Sequence, residues 1–190
     1  MIKGLLQGCF VACSLLLVVP AGAQEMIHAV SGTVTAIHPK VDMLELATDD
    51  GSSGHFQWTN KDKGSYSLDK AIKADSTNPA EIAAPGAHVI IFYFGDGNLR
   101  TAVAVETLTQ PAIKTITGTV VKLNRHQHTL VIKQASGADV SFNLVPKTVG
   151  DTTTGVATDF KFDFDKDQAV NVTAAQTDGT QSALLITPVM

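Results

Sequence analysis

From Val30 onward, apolar side chains recur at every second position in short runs, and turn residues separate the runs. That period belongs to β-strands with one buried face. Val30 to Ile37 is rich in β-branched residues and contains Gly32. A glycine inside such a run predicts a bulge or a sharp bend, as at a barrel corner. Met43 to Thr48 follows, with Leu44 and Leu46 on one face, and Asp49-Asp50-Gly51 is a hairpin signal. Phe56 and Trp58 then alternate with His55, Gln57 and Thr59. Val89 to Phe94 is apolar on both faces, which predicts a central strand. Asp96-Gly97 turns the chain into Thr101 to Leu108.

The same series then starts again. Val30-Ser31-Gly32-Thr33-Val34 recurs as Ile116-Thr117-Gly118-Thr119-Val120, 86 positions later. The offset also carries Leu44 to Leu130, Leu46 to Ile132, Gly51 to Gly137 and Phe56 to Phe142. Val89 and Ile91 match Val170 and Val172 at an offset of 81, and Asp96-Gly97 matches Asp178-Gly179 at 82. The matches fall on glycines and apolar positions, so the chain holds two copies of one structural unit. The second copy predicts strands over Ile116 to Leu123, Thr129 to Lys133, Val140 to Val145, Ala169 to Ala174 and Ser182 to Thr187.

Five short strands in each copy describe an all-β protein of two tandem, five-stranded Greek-key barrels of the OB type, packed together. Closure removes the two edges that an open sheet would expose. A unit of ~80 residues buries only about 60% of its unfolded surface, so each barrel needs the other. The expected boundary is Thr109-Gln110-Pro111-Ala112, giving a first repeat over 24–110 and a second over 111–190. The rival architecture is one fused sandwich. The copies differ most between their third and fourth strands. There the first copy predicts two turns of helix, Ser67 to Ala74, capped by Ser67. The second instead alternates Phe160, Phe162 and Phe164 with polar residues, which is strand-like.

The first 23 residues carry a different pattern. Lys3 precedes the apolar stretch Leu5 to Val19, and Ala21-Gly22-Ala23 supplies the small residues read by signal peptidase. The expectation is a signal peptide cleaved after Ala23 and a periplasmic or secreted product. Both cysteines, Cys9 and Cys13, lie in this leader, so the mature chain has neither a disulfide nor a thiolate. No later stretch has the ~20 apolar residues of a membrane-spanning helix. The mature chain has 13 basic and 18 acidic residues. The excess of acid argues against nucleic acid as a partner.

Gly32-Thr33-Val34, Leu44-Glu45-Leu46, Phe56 and Pro85-Gly86-Ala87-His88-Val89-Ile90-Ile91 form one pattern. Gly118-Thr119-Val120, Leu130-Val131-Ile132, Phe142 and Gln168-Ala169-Val170-Asn171-Val172 repeat it. It resembles short exported bacterial β-barrel domains of unknown function, often found in tandem. The resemblance covers nearly all of the mature chain and implies an OB-like barrel. The chain is also distantly similar to the small periplasmic copper and silver chaperone barrel. That family binds its ion with a histidine, a Met-x-Met pair and a capping tryptophan. Trp58 lies near the equivalent strand here, but no Met-x-Met accompanies it, and Glu45-Leu46-Ala47-Thr48 stands where the histidine is expected. The metal motif therefore does not carry over.

Six histidines lie beyond the leader: His28, His38, His55, His88, His126 and His128. Imidazole suits copper, nickel or zinc. His126-Gln127-His128 is the candidate metal site, since in an extended segment the two rings face the same side. The other reading is a polar hairpin tip, because a useful site needs three or four ligands. Asp163-x-Asp165-x-Asp167 resembles the start of a calcium loop. Its sixth position is Gln168 and its twelfth Ala174, where glycine and glutamate belong. No nucleophile elbow, His-Glu-x-x-His or phosphate-binding glycine loop is present, and no cofactor is expected. The expectation is an exported, non-enzymatic binding or assembly module, with an unknown protein or small ligand of the cell envelope as partner. The alternatives are a periplasmic metal-binding protein and a hydrolase with unrecognised carboxylates.

Overall fold

A computed structural model describes residues 26–58, 84–97, 100–110, 112–177 and 179–189. The leader and the expected helix Ser67 to Ala74 lie outside the described residues. The chain folds as two closed β-barrels rather than one sandwich. The first is built from β1 (His28–His38), β2 (Met43–Thr48), β3 (Ser53–Trp58), β4 (His88–Phe94) and β5 (Arg100–Thr107). The second uses β6 (Ile113–Asn124), β7 (Thr129–Lys133), β8 (Asp139–Thr152), β10 (Ala169–Thr177) and β11 (Thr180–Pro188), with a short β9 (Gly155–Ala157) against β8. Among the described residues no helix is long and apolar enough to cross a membrane.

Both barrels have the same topology. The first closes in the order β1-β2-β3-β5-β4, with β4 returning to β1. The second closes as β6-β7-β8-β11-β10, with β10 returning to β6. The third and fifth strands run parallel in each, Phe56 beside Arg100 in one and Leu144 beside Ala183 in the other. This is the expected Greek-key order of an OB barrel.

The repeat extends to irregularities that the residue pattern does not reveal. The first strand pair shifts register between Val34 and Ala36 in barrel one and between Val120 and Lys122 in barrel two, 86 positions apart. The fourth and fifth strands shift at Phe92/Tyr93 and at Thr173/Ala174, 81 apart. Each barrel's first strand pairs with its fourth through one half and its second through the other. Gly32 and Gly118 sit where the strand passes between them. A Cβ on Gly32 would lie 2.3 Å from the Ala47 carbonyl oxygen, and one on Gly118 would lie 2.6 Å from that of Lys133. The glycine that predicts a corner therefore permits close backbone approach, and the bulge follows two residues later.

Matched positions fill matched cores. Leu44, Leu46 and Phe56 are buried in the first barrel, as are Leu130, Ile132 and Phe142 in the second. Trp58 is also core, at 4% exposure. One expectation fails. Residues 158–168 form no strand. The alternation of burial is real, since Phe162 and Phe164 enter the second core while Lys161, Asp163 and Asp165 face solvent. Alternation reports which side is buried but does not supply a partner strand. Here Asp159 and Phe160 adopt positive φ, at 52° and 62°, which breaks the extended run.

A third apolar core joins the barrels. Ala29, Ile90, Phe92, Val103, Ala104 and Leu108 of the first meet Val149 and Leu185 of the second. The strand β4 explains its own sequence: Val89, Ile91 and Tyr93 point into barrel one, whereas Ile90 and Phe92 point into this seam.

Candidate functional site

Polar groups cluster where the two barrels meet. The β8–β9 hairpin reaches out of barrel two and lies along the start of β1. The Val156 N–H donates to the Ile27 carbonyl at 3.0 Å. Asp151, on the same hairpin, accepts the Ala29 N–H at 3.0 Å and pairs with His28 Nδ1 at 3.0 Å. Burial pushes the Asp151 carboxyl above the usual aspartate range, and the contacts from Ala29 and His28 offset only part of that.

A second cluster surrounds Asp49, in the turn after β2. Its carboxylate is 2.9 Å from His88 Nε2 and accepts from the Thr173 hydroxyl at 3.4 Å. Thr173 in turn is hydrogen-bonded to Ser31 at 2.7 Å and to Thr115 at 2.8 Å. Burial acts to raise the Asp49 pKa, but hydrogen bonds from His88 and Ser31 outweigh it and hold the carboxyl below its ordinary value. Ser31, Asp49, Asp50, Thr115, Asn171 and Thr173 edge a crevice of about 30 Å³. That is room for one water, far below the size of a small-molecule pocket.

Arg100 occupies a third place, at the start of β5. Its guanidinium carbon lies over the Tyr93 ring, 4.9 Å from the centroid, and 5.8 Å from that of Phe56. The Phe56 and Tyr93 rings meet edge to face, with centroids 5.4 Å apart. The His28 ring is 6.0 Å from Tyr93 on another side. Burial raises the Tyr93 hydroxyl pKa, with Arg100 opposing.

The predicted metal residues, His126 and His128, lie on the turn between β6 and β7. The segment is a turn and not extended, and His128 has φ 53°. The premise that places both rings on one side is therefore absent. The His126 N–H is bonded to the Asn124 side chain at 3.1 Å, and the His128 ring stacks on Phe160 with centroids 4.0 Å apart. His38 pairs with Glu45, and His28 and His88 each pair with an aspartate. Among the described residues, no group of three or more histidines, cysteines or acids is gathered to hold a metal ion. Asp163, first of the calcium-like run, pairs instead with Arg125 at 2.8 Å.

Asp151, Asp49, Thr173 and Arg100 are not singled out by motif reasoning. A signal for part of the seam does exist in the repeat. At the 81-residue offset, seam residues Ile90 and Phe92 correspond to Asn171 and Thr173. Polar residues in place of apolar ones on the outer face of a repeated strand mark a surface used differently in the two copies.

No protein-family model and no curated protein matches the chain. Among solved structures, the barrel architecture is distantly similar to that of CusF. A crystal structure of silver(I)-bound CusF is 14% identical with a TM-score of 0.33, covering 42% of this chain and 100% of that one. A second silver-bound CusF structure, from Escherichia coli, is 15% identical with a TM-score of 0.34, covering 43% of this chain and 98% of its own. The chain itself is a tandem of two small β-barrels.

Proposed function

We propose that this chain is an exported, non-enzymatic binding or assembly module of the cell envelope. One observation carries the reading: two barrels of one topology are joined through a continuous apolar seam into a single body. A jointly buried core of this kind holds loops and strand ends in fixed relative positions, which suits a recognition platform. The leader-like N-terminal pattern and the lack of catalytic motifs in the sequence support the export and the non-enzymatic role.

Site-specific photo-crosslinking in a Gram-negative host tests this. A photoreactive residue replaces Asn171 at the seam crevice or exposed Lys133 on β7. The expected result is a leaderless product in the envelope fraction and an adduct of defined mass from one position only. No adduct from either position would count against a binding role. Hydrolysis of an ester, glycoside or phosphate reporter that a single carboxylate substitution abolishes would replace the reading with an enzymatic one.

A further inference from the structure

We propose that Arg100 is the anchor of a binding site for a singly charged carboxylate, such as the C-terminal carboxylate of a peptide. The inference names the ligand chemistry of the module proposed above and rests on that reading only for its biological setting.

The chain has two arginines, and they are used differently. Arg125 is consumed internally: it pairs with Asp163 at 2.8 Å and donates to the Phe162 carbonyl at 3.2 Å. Arg100 is half-buried; among the described residues its contacts are with the Tyr93 and Phe56 rings, and its charge acts on the nearby Asp50 without a hydrogen bond between them. A guanidinium has five N–H donors in a fixed fork. Stacking on an aromatic face engages the plane of the cation and leaves the in-plane edge for hydrogen bonding. That edge matches a carboxylate in bidentate geometry.

The support beneath it is rigid. Phe56 is fully buried, Tyr93 is 9% exposed, and both belong to the first barrel's core. Phe56 and Arg100 are paired neighbours on the parallel strands β3 and β5. The cation is therefore held before any ligand arrives, which lowers the entropy cost of binding.

The surroundings select the ligand. Asp50, Asp96 and Asp151 all act electrostatically on Tyr93, beneath the cation. Asp50 is bonded to Thr48 and Ser52, and Asp151 to His28 and Ala29. Among the described residues neither carboxylate is hydrogen-bonded to Arg100, although the guanidinium helps to hold Asp50 below its ordinary pKa, and their negative field penalises each further charge on an incoming anion. A monoanionic carboxylate meets less of that penalty than a phosphate dianion or a polyanion. Asp50, on which Arg100 acts directly, is the internal competitor, and Asp96, exposed in the turn before β5, adds its charge at Tyr93.

The test is NMR titration of the mature chain, following the arginine Nε–Hε signals. The probes are sodium acetate, an N-acetylated tripeptide with a free C-terminal carboxylate, its C-terminal amide, and inorganic phosphate. The Arg100 signal is expected to shift saturably with acetate and the free acid, and not with the amide. Arg100→Gln should weaken binding ~tenfold or more, as loss of a charge-assisted pair does. Asp96→Asn should strengthen it, and unchanged Trp58 emission reports that each variant is folded. No saturable shift, equal shifts with acid and amide, or an Arg100→Gln variant that binds as well as the parent would overturn the proposal. So would a preference for phosphate over carboxylate. Any of these leaves the module reading standing, because that reading is tested by crosslinking elsewhere on the molecule.

Discussion

Asp151 offers the most direct test of how the barrels are coupled, because two substitutions at this one position separate charge from hydrogen bonding. Its carboxylate accepts the buried Ala29 N–H and contacts His28 across the seam. Asp151→Ala removes both contacts and leaves a buried backbone donor without its acceptor, which costs about 1–3 kcal/mol. Asp151→Asn retains them: the amide oxygen accepts from Ala29, and the amide nitrogen donates to His28 Nδ1. It also removes a carboxylate whose pKa burial has raised. A raised aspartate pKa means that the folded state favours the protonated form. The stability this group contributes is complete below the unfolded value of 3.8 and lost as pH rises through the folded pKa. Near neutrality, then, the asparagine variant should match or exceed the parent, while the alanine variant falls below both.

The chain provides its own reporters. Trp58 and Tyr93 lie in barrel one, and barrel two has neither residue type. In urea, Trp58 emission follows barrel one and far-ultraviolet circular dichroism follows both. In the parent the two transitions should coincide, because the seam core couples the barrels. Asp151→Ala should lower the midpoint and draw the transitions apart. Coincident, unshifted curves for Asp151→Ala would show that the hairpin contact does not couple the barrels. An asparagine variant as unstable as the alanine one near neutrality would refute the argument from burial.

The other seam carboxylate should respond with the opposite sign. Asp49 has a lowered pKa, so its contribution is present above 3.8 and lost as pH falls through the folded value. Asp49→Asn should flatten the acid limb of a stability–pH curve, and an unchanged limb would argue against the His88 and Thr173 contacts. Gly118→Ala places a Cβ 2.6 Å from the Lys133 carbonyl oxygen, and unfolding midpoints should show a loss of about 1–3 kcal/mol or more. Gly32→Ala should do the same in barrel one, and an alanine tolerated at either position would contradict the close approach. In calorimetric titration with copper, nickel or zinc, the His126 and His128 turn should give only weak heat, saturating far above stoichiometry. Stoichiometric uptake abolished by replacing both with alanine would show that His128 leaves Phe160 to form a true site.

The barrels are legible in the sequence because strand alternation and glycine spacing are local, and they recur at nearly fixed offsets. Phe56 and Phe142 illustrate this, each at the same step of its copy and each fully buried. Pairing is not local, and there the reading weakens. Residues 158–168 have a strand's burial pattern without a strand's neighbour. The strand β8 runs on to Thr152 because its far end turns back through β9 toward the first barrel. Nothing within Thr148-Val149-Gly150-Asp151-Thr152 announces that destination. The placement of the histidine turn likewise depends on more than residue spacing. The spacing of His126 and His128 suggests ligands, but a positive φ at His128 and the ring of Phe160 decide where that imidazole goes.

The seam also shows how two copies of one unit come to present different faces to each other. Identical repeats that present the same apolar face can keep stacking, because each added unit leaves a fresh face behind. Here the equivalent faces have diverged. The first copy contributes Ile90 and Phe92, whereas the second places Asn171 and Thr173 at the same step, and both faces are consumed where the barrels meet. Among the described residues, the large exposed apolar side chains are Met26, Val41 and Val189, scattered along the chain. On the reading proposed above, recognition by the described surface falls to polar and charged contacts, and an arginine seated on aromatic rings is the kind of group that makes them.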